Sequence, residues 1–205
     1  MKVLMINGSP RVNGNTSIAL KEMEKIFEKE GIEVKTVQIG NKAIRGCIAC
    51  GVCQEKGQCV FDDEVNALAQ EFEACDGLVV ASPVYYASAN ATLSALLDRL
   101  FFSTSFDKRM KVGASVVVLR RGGASSTFDE LNKYFTICGM PVASSQYWNS
   151  VHGRLPGEAA QDGEGLQTMR TLAGNMSFLM KSIALGKEKY GLPEVEDRIS
   201  TNFIR

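Results

Sequence analysis

The chain has no excess charge of either sign. Lysine and arginine together number 23, and so do aspartate and glutamate. That speaks against a chain built to bind nucleic acid or an anionic membrane, since both favour a basic excess; a local basic patch stays open. Long apolar runs are also missing, and nothing approaches the roughly 20 residues that a membrane helix needs. The start, MKVLMINGSP, is not the pattern of a signal peptide, because its apolar run is short and ends in a loop signal. The expected location is therefore the cytoplasm. In a reducing compartment, clustered cysteines are more often metal ligands or redox groups than disulfides. Repeats, low-complexity segments and an interdomain linker are absent too. At 205 residues the expectation is a single domain, 1–205, with chain enough for a full core.

What is present alternates between strand-like and helix-like segments. KVLMIN (2–7) is a short apolar run ended by a turn signal. Residues 16–30 place Ile18, Met23, Ile26 and Phe27 on one helical face, with Asn15 as a cap and Gly31 as a stop. IEVKTVQI (32–39) alternates as a half-buried strand does. A polar, glycine-rich segment follows and reads as a loop. Asp62, Asp63 and Glu64 then put negative charge at a helix start, ahead of Val65, Leu68, Ala69 and Phe72. GLVVAS (77–82) and VGASVVVL (112–119) read as buried parallel strands. A helix is expected over 91–103, and Thr127 with Glu130 forms a capping box for the helix that stops at Gly139. PVASSQYW (141–148) is the expected fifth strand, and a long helix from about 160 to 185 closes the pattern. Five such alternations predict an α/β fold, a doubly wound five-stranded parallel sheet with helices on both faces. Ligands of such sheets lie beyond the carboxyl ends of the strands, at the topological switch point. That singles out loops 8–15, 83–90, 120–126 and 148–158.

The first of these, NGSPRVNGNTS (7–17), leaves a strand and opens a helix. It offers the hydroxyls of Ser9, Thr16 and Ser17, the side chains of Arg11 and Asn15, and unpaired backbone amides. Helix starts of this kind favour anions, phosphate above all. A Walker A loop is excluded because Gly14 is followed by Asn15 and Thr16 with no lysine. The dinucleotide fingerprint is excluded because Gly8 and Gly14 are six apart. No cysteine sits where a phosphatase nucleophile would. In the second loop, SPVYYASAN (82–90), Pro83 fixes the backbone and Tyr85 and Tyr86 offer planar faces. In the third, RRGGAS (120–125), Gly122 and Gly123 allow close approach to a ring, with Arg120 or Arg121 supplying positive charge.

GSPRVNGNTS followed by SPVYY resembles the NADPH-dependent FMN reductase family and its iron–sulfur flavoprotein relatives, all flavodoxin-like. The similarity extends along most of the chain, SSQYWNSVHG included. The resemblance implies FMN, its phosphate held by Ser9, Arg11, Asn15, Thr16 and Ser17 and its ring lined by Pro83, Val84, Tyr85 and Tyr86. Arg120, Arg121 and Gly122 are matched less closely. It implies NAD(P)H as electron donor, a small-molecule acceptor or redox protein as partner, and a homodimer or homotetramer in which Tyr147 and Trp148 face a partner's flavin. A flavin performs the redox step itself, so no catalytic side chain is expected. His152, the one histidine, sits in a polar loop and reads as solvent-exposed, with a role as proton donor left open.

Four of the six cysteines fall within CIACGVCQEKGQC: Cys47, Cys50, Cys53 and Cys59, inside the loop 46–60. Their spacing is C-x2-C-x2-C-x5-C. The first three match the compact part of a bacterial ferredoxin run, while the fourth comes later and lacks the following proline. Gly46, Gly51 and Gly57 would let the loop wrap a cluster. The compact motif also fits the iron–sulfur flavoproteins, where a [4Fe–4S] cluster passes single electrons to FMN. A zinc site and free thiols stay open beside it. Cys75 and Cys138 are expected in the core. In the tail, within the segment 160–205, Phe203 and Ile204 are expected to dock on a neighbouring subunit, with a flexible tail as the alternative.

Overall fold

The structure is a computed structural model, and it describes residues 1–197, 199–201 and 203. Five parallel strands form one sheet in the order β2-β1-β3-β4-β5. They are β1 (Lys2–Asn7), β2 (Glu33–Gln38), β3 (Gly77–Pro83), β4 (Val112–Leu119) and β5 (Ser150–His152). The helices are α1 (Asn15–Lys29), α2 (Val52–Lys56), α3 (Glu64–Ala74), α4 (Ala91–Ser103), α5 (Ala124–Thr136) and α6 (Gly163–Tyr190). A 3-10 turn, Glu158–Gln161, precedes α6.

The strand character follows from the pattern. β4 is buried at every residue and β3 at all but the last, as a continuous apolar run requires of a central strand covered on both faces. β2, at the edge, alternates and stays partly exposed. Two apolar layers result. On one face, Ala19, Leu20, Met23 and Phe27 of α1 pack with Leu172, Met176 and Met180 of α6. On the other, Phe72 of α3, Leu93, Leu97 and Leu100 of α4 and Phe135 of α5 pack together. The chain reverses its winding direction between β1 and β3, so their carboxyl ends open the crevice where ligands of such sheets lie.

Three local expectations are corrected. The fifth strand is not 141–148. Val142 makes a single bridge to Gly113, and pairing resumes only at Ser150–His152. The reason is Asn149, which is buried: its Nδ2 donates to the Ser115 carbonyl at 3.0 Å and its Oδ1 accepts from Ser145 at 2.7 Å. A side-chain amide thus takes an acceptor on β4, and the chain bulges away. The capping box at Thr127 is also absent, because α5 starts earlier, after Gly123. Thr127 donates back to the Gly123 carbonyl at 2.9 Å, and Glu130 reaches another loop. Asn15 is the first residue of α1 and not its cap, which is Gly14.

The cysteine segment is not wholly loop. It contains α2, bounded by Gly51 and Gly57, both in the left-handed conformation at φ 74° and 68°. No helix among the described residues is long and apolar enough to cross a membrane. In the tail, Phe203 is exposed, and Ile204 lies outside the described residues.

Candidate functional site

The loop after β1 is built around Asn7. Its Oδ1 accepts from the Ser9 amide at 2.9 Å and its Nδ2 donates to Ser17 Oγ at 3.0 Å. Ser9 Oγ accepts from the Arg11 amide at 3.2 Å. Gly40 lies so close that a Cβ there would come within 2.1 Å of the Gly8 carbonyl oxygen, so only glycine lets the chain after β2 buttress the loop. The loop is held rigid from below while its outer donors stay open. Among the described residues, the amides of Asn15 and Thr16 find no protein acceptor, as expected for the first turn of a helix. Thr16 is 2% exposed, yet among the described residues its hydroxyl takes no protein partner. Arg11 stands exposed beside them. Unpartnered amides and a sheltered free hydroxyl at a helix start form a donor set suited to a phosphate.

Two of the expected residues point elsewhere. Ser17 donates to the Val12 carbonyl and accepts from Asn7, so its hydroxyl braces the loop from inside. The Asn15 side chain spans to the segment after β5. Its Nδ2 donates to Leu155 O at 3.0 Å, and its Oδ1 accepts from the amides of Gly157 and Ala159 at 3.1 and 3.2 Å. What Asn15 turns toward the cradle is its backbone amide.

The second loop folds into a two-residue turn. Tyr85 and Ser88 exchange backbone hydrogen bonds at 2.9 and 3.1 Å around Tyr86 and Ala87, whose φ values are 50° and 59°. Such a turn prefers glycine or asparagine at these positions, so this one is held from outside. Its supports come from α5 and the loop before it. Ser126 Oγ donates to Ala87 O at 2.7 Å. Glu130 Oε2 accepts from Ser88 Oγ at 2.7 Å and from the Ala89 amide at 3.0 Å. Gly123, at φ 89°, packs on Ala87, where a Cβ would lie 2.6 Å from its Cα. The result presents Tyr86 fully exposed and Tyr85 half-exposed, with the amides of Tyr86 and Ala87 unpaired among the described residues. Pro83 and Val84 are half-buried behind them. Arg120, Arg121 and Gly122 are exposed on the adjoining third loop. Free ring faces and free amides at the switch point suit a flat heterocycle.

Further along the rim, Tyr147 and Trp148 are exposed and pack with ring centroids 5.2 Å apart. His152 is half-exposed, as expected. Its amide donates to Asp162 Oδ2 at 2.6 Å, and its Nδ1 lies 3.4 Å from the same oxygen. Burial works to raise the Asp162 pKa, but bonds from the Gly165 and His152 amides outweigh it and hold the carboxyl below its ordinary value.

The four clustered cysteines line one pocket, together with Ile48, Val60, Phe61, Phe102 and Arg99. Cys47 and Cys50 are exposed, Cys53 and Cys59 half-buried. Besides the glycines, Ala49 adopts a left-handed conformation (φ 53°), and its amide donates to Cys47 Sγ at 3.4 Å. Among the described residues, no three His, Cys, Asp or Glu side chains converge as a single metal ion needs. Four thiols around a shared apolar pocket, and not around one point, suit a polynuclear group with one thiolate per iron better than tetrahedral zinc. Cys75 is buried as expected, and Cys138 is half-buried at the edge of the same apolar layer, packed against its core.

Residues 1–154 match the protein-family model described as NADPH-dependent FMN reductase. The chain belongs to this family. Membership of an FMN-binding oxidoreductase family agrees with a donor set suited to phosphate and exposed aromatic faces at the same switch point. Two similar proteins carry the name iron–sulfur flavoprotein. One, from Methanocaldococcus jannaschii, is 34% identical over 89% of this chain and 99% of its own. The other, from Methanosarcina thermophila, is 32% identical over 92% of this chain and 100% of its own. Among solved structures, RosB with a bound formylriboflavin phosphate intermediate superposes with a TM-score of 0.71 at 17% identity, covering 100% of this chain and 94% of its own. An archaeal flavodoxin gives 0.59 at 15%, covering 88% and 99%. These place the fold among the flavodoxin-like proteins.

The sequence missed the residues that hold the candidate site in shape: Asn7, Asn90, Glu130 and the Arg99–Asp63 pair. Asn90 had a legible signal, since asparagine before a helical run is a preferred N-cap. Arg99 had one too, as an arginine among the leucines of the 91–103 helix. Glu130 had none that pointed across to residue 88.

Proposed function

We propose that this chain is an FMN-containing oxidoreductase that also carries a [4Fe–4S] cluster on Cys47, Cys50, Cys53 and Cys59 and exchanges electrons with a protein partner. The observation that carries this reading is the single apolar pocket lined by all four thiols, in a chain whose family binds FMN. Together the two groups, when bound, interconvert two-electron and one-electron chemistry.

The residues have distinct tasks. Ser9, Arg11 and Thr16, with the amides of Asn15 and Thr16, bind the phosphate, while Ser17 and Asn7 hold the loop around it. The Tyr85–Ser88 turn, Pro83 and Val84 line the ring, with Arg120, Arg121 and Gly122 closing the site from the third loop. Left-handed Ala49, Gly51 and Gly57 shape the segment that brings the thiols round one pocket.

NAD(P)H as direct donor is the second reading. It is supported by the family description and by the exposed face of Tyr86, beside which a nicotinamide has room to stack. A homodimer or homotetramer and a cytoplasmic location belong to the same proposal. The exposed Tyr147–Trp148 pair supports the first and six unpaired thiols the second.

The test is anaerobic purification with FMN, iron, sulfide and zinc assayed on one sample. About four irons per chain with one FMN is the expected result. Reduction by a ferredoxin-type donor would then favour electron relay, and steady NAD(P)H oxidation the reductase reading. FMN without iron after reconstitution would remove the cluster.

A further inference from the structure

Arg99 is the largest side chain that the fold buries completely, at 1% exposure. It lies on α4 against the cysteine pocket. Nearly every donor of its fork is placed. Nε donates to Cys59 Sγ at 3.2 Å, Nη1 to Asp63 Oδ2 at 2.7 Å and to Arg45 O at 3.3 Å, and Nη2 to Asp63 Oδ1 at 2.8 Å. The Phe61 ring, 5.1 Å from Cζ, covers it, and Arg45 packs on the same ring at 4.4 Å.

Arg99 is buried while Asp63 keeps about a fifth of its side chain exposed. Burying a charge in such a pair is a poor way to stabilise a fold, because apolar side chains of like volume do as well or better. Nor is a neutral thiol a good reason to aim a guanidinium N–H, since it is a weak acceptor. A metal-bound thiolate is a strong one. The pair therefore makes sense as electrostatic machinery for what the thiols hold.

We propose that Arg99 is a positioning residue which, through its hydrogen bond to Cys59 and its buried charge, raises the reduction potential of the cluster, and that Asp63 offsets it. This rests on the cluster reading above. Reduction of the cluster takes up one electron, forms and breaks no bond, and moves no proton. It adds one negative charge to the cluster and its four thiolates. A cationic donor on one sulfur stabilises the reduced state more than the oxidised one. A carboxylate on the same fork opposes it. The two partners must therefore act with opposite signs.

The experiment is a mediated dithionite titration of the anaerobic holoprotein, followed by electron paramagnetic resonance, on the wild type, R99Q, D63N, R99Q/D63N and R99K. The expected result is a shift to more negative potential in R99Q, a shift to more positive potential in D63N, and a return toward wild type in the double variant. D63N keeps the side-chain oxygen that caps α3 at the Val65 amide. R99K keeps the charge but loses the fork, and shifts negative by less than R99Q. A pair that merely held the loop together would change cluster content without this reversal of sign. Equal potentials, or shifts of one sign in both single variants, would overturn the inference. Should R99Q lose its cluster, R99K decides, and an unshifted R99K overturns it. Wild-type protein with FMN but no iron would instead defeat the cluster reading itself, and the inference with it.

Discussion

Asn90 Nδ2 donates to the Gly8 carbonyl at 2.7 Å, across 82 residues of sequence. This contact joins the loop after β1 to the loop after β3. The same side chain caps α4, its Oδ1 accepting from the Thr92 amide at 2.9 Å, and its own amide donates to Ser82 Oγ at 2.9 Å. One buried asparagine thus fixes the loop proposed to hold phosphate relative to the turn proposed to line the ring. Asn90→Asp keeps the cap and removes the donor, leaving a carboxylate against a carbonyl. The FMN-free protein should lose about 2 kcal/mol in urea unfolding, and FMN should bind about tenfold more weakly by fluorescence titration. Unchanged affinity would show that the two loops bind independently.

Thr16 and Ser17 are neighbours with opposite duties, and their variants should separate. Thr16→Val removes a hydroxyl with no protein partner among the described residues. Stability without FMN should stay within about 0.5 kcal/mol, while FMN affinity falls about tenfold, the value of one charge-assisted hydrogen bond. Ser17→Ala removes the contacts to Val12 and Asn7. It should cost about 1–2 kcal/mol of stability and less affinity than Thr16→Val. The reverse ranking would mean that Ser17, not Thr16, meets the phosphate.

Glu130 is the main clamp on the Tyr86–Ala87 turn. Glu130→Ala leaves Ser88 Oγ and the Ala89 amide without their acceptor. Two non-glycine residues at positive φ should then relax, since each such conformation costs roughly 1 kcal/mol or more. Amides 85–89 should exchange with deuterium at least several-fold faster, and bound FMN should dissociate faster. Exchange as slow as in the wild type would place the restraint on Ser126 and Gly123 instead.

Cys75 offers a pH test. It is 1% exposed, and burial pushes its thiol from 9.0 up to about 11. The folded state favours the protonated form. The resulting stability is therefore complete below about pH 9 and is lost as pH rises toward 11. Two units correspond to at most about 2–3 kcal/mol. Urea unfolding between pH 8 and 11 should show this decline in the wild type and a shallower one in Cys75→Ala. In cluster-free protein at pH 8, alkylation should mark the exposed Cys47 and Cys50 long before Cys75.

The sequence by itself determined the elements whose cause is local. Apolar runs made β1, β3 and β4, because a strand covered on both faces needs nothing polar. The spacing of Leu93, Leu96, Leu97 and Leu100 made α4, and the alternation of strands and helices implied a parallel sheet with its site at the strand ends. The glycine- and hydroxyl-rich loop after β1 was legible for the same reason, since a helix start exposes amides whatever surrounds it. What only the tertiary structure decided is where polar side chains find partners. Ser17 turned inward to Asn7, Asn15 reached residues 155–159, Asn149 broke the expected fifth strand by bonding to Ser115, and Glu130 left a capping box for Ser88. Asp63 and Arg99, 36 residues apart, met beneath Cys59. A hydrogen bond or ion pair depends on distance and direction in space, and a buried polar group accepts whichever partner the packed core brings to it.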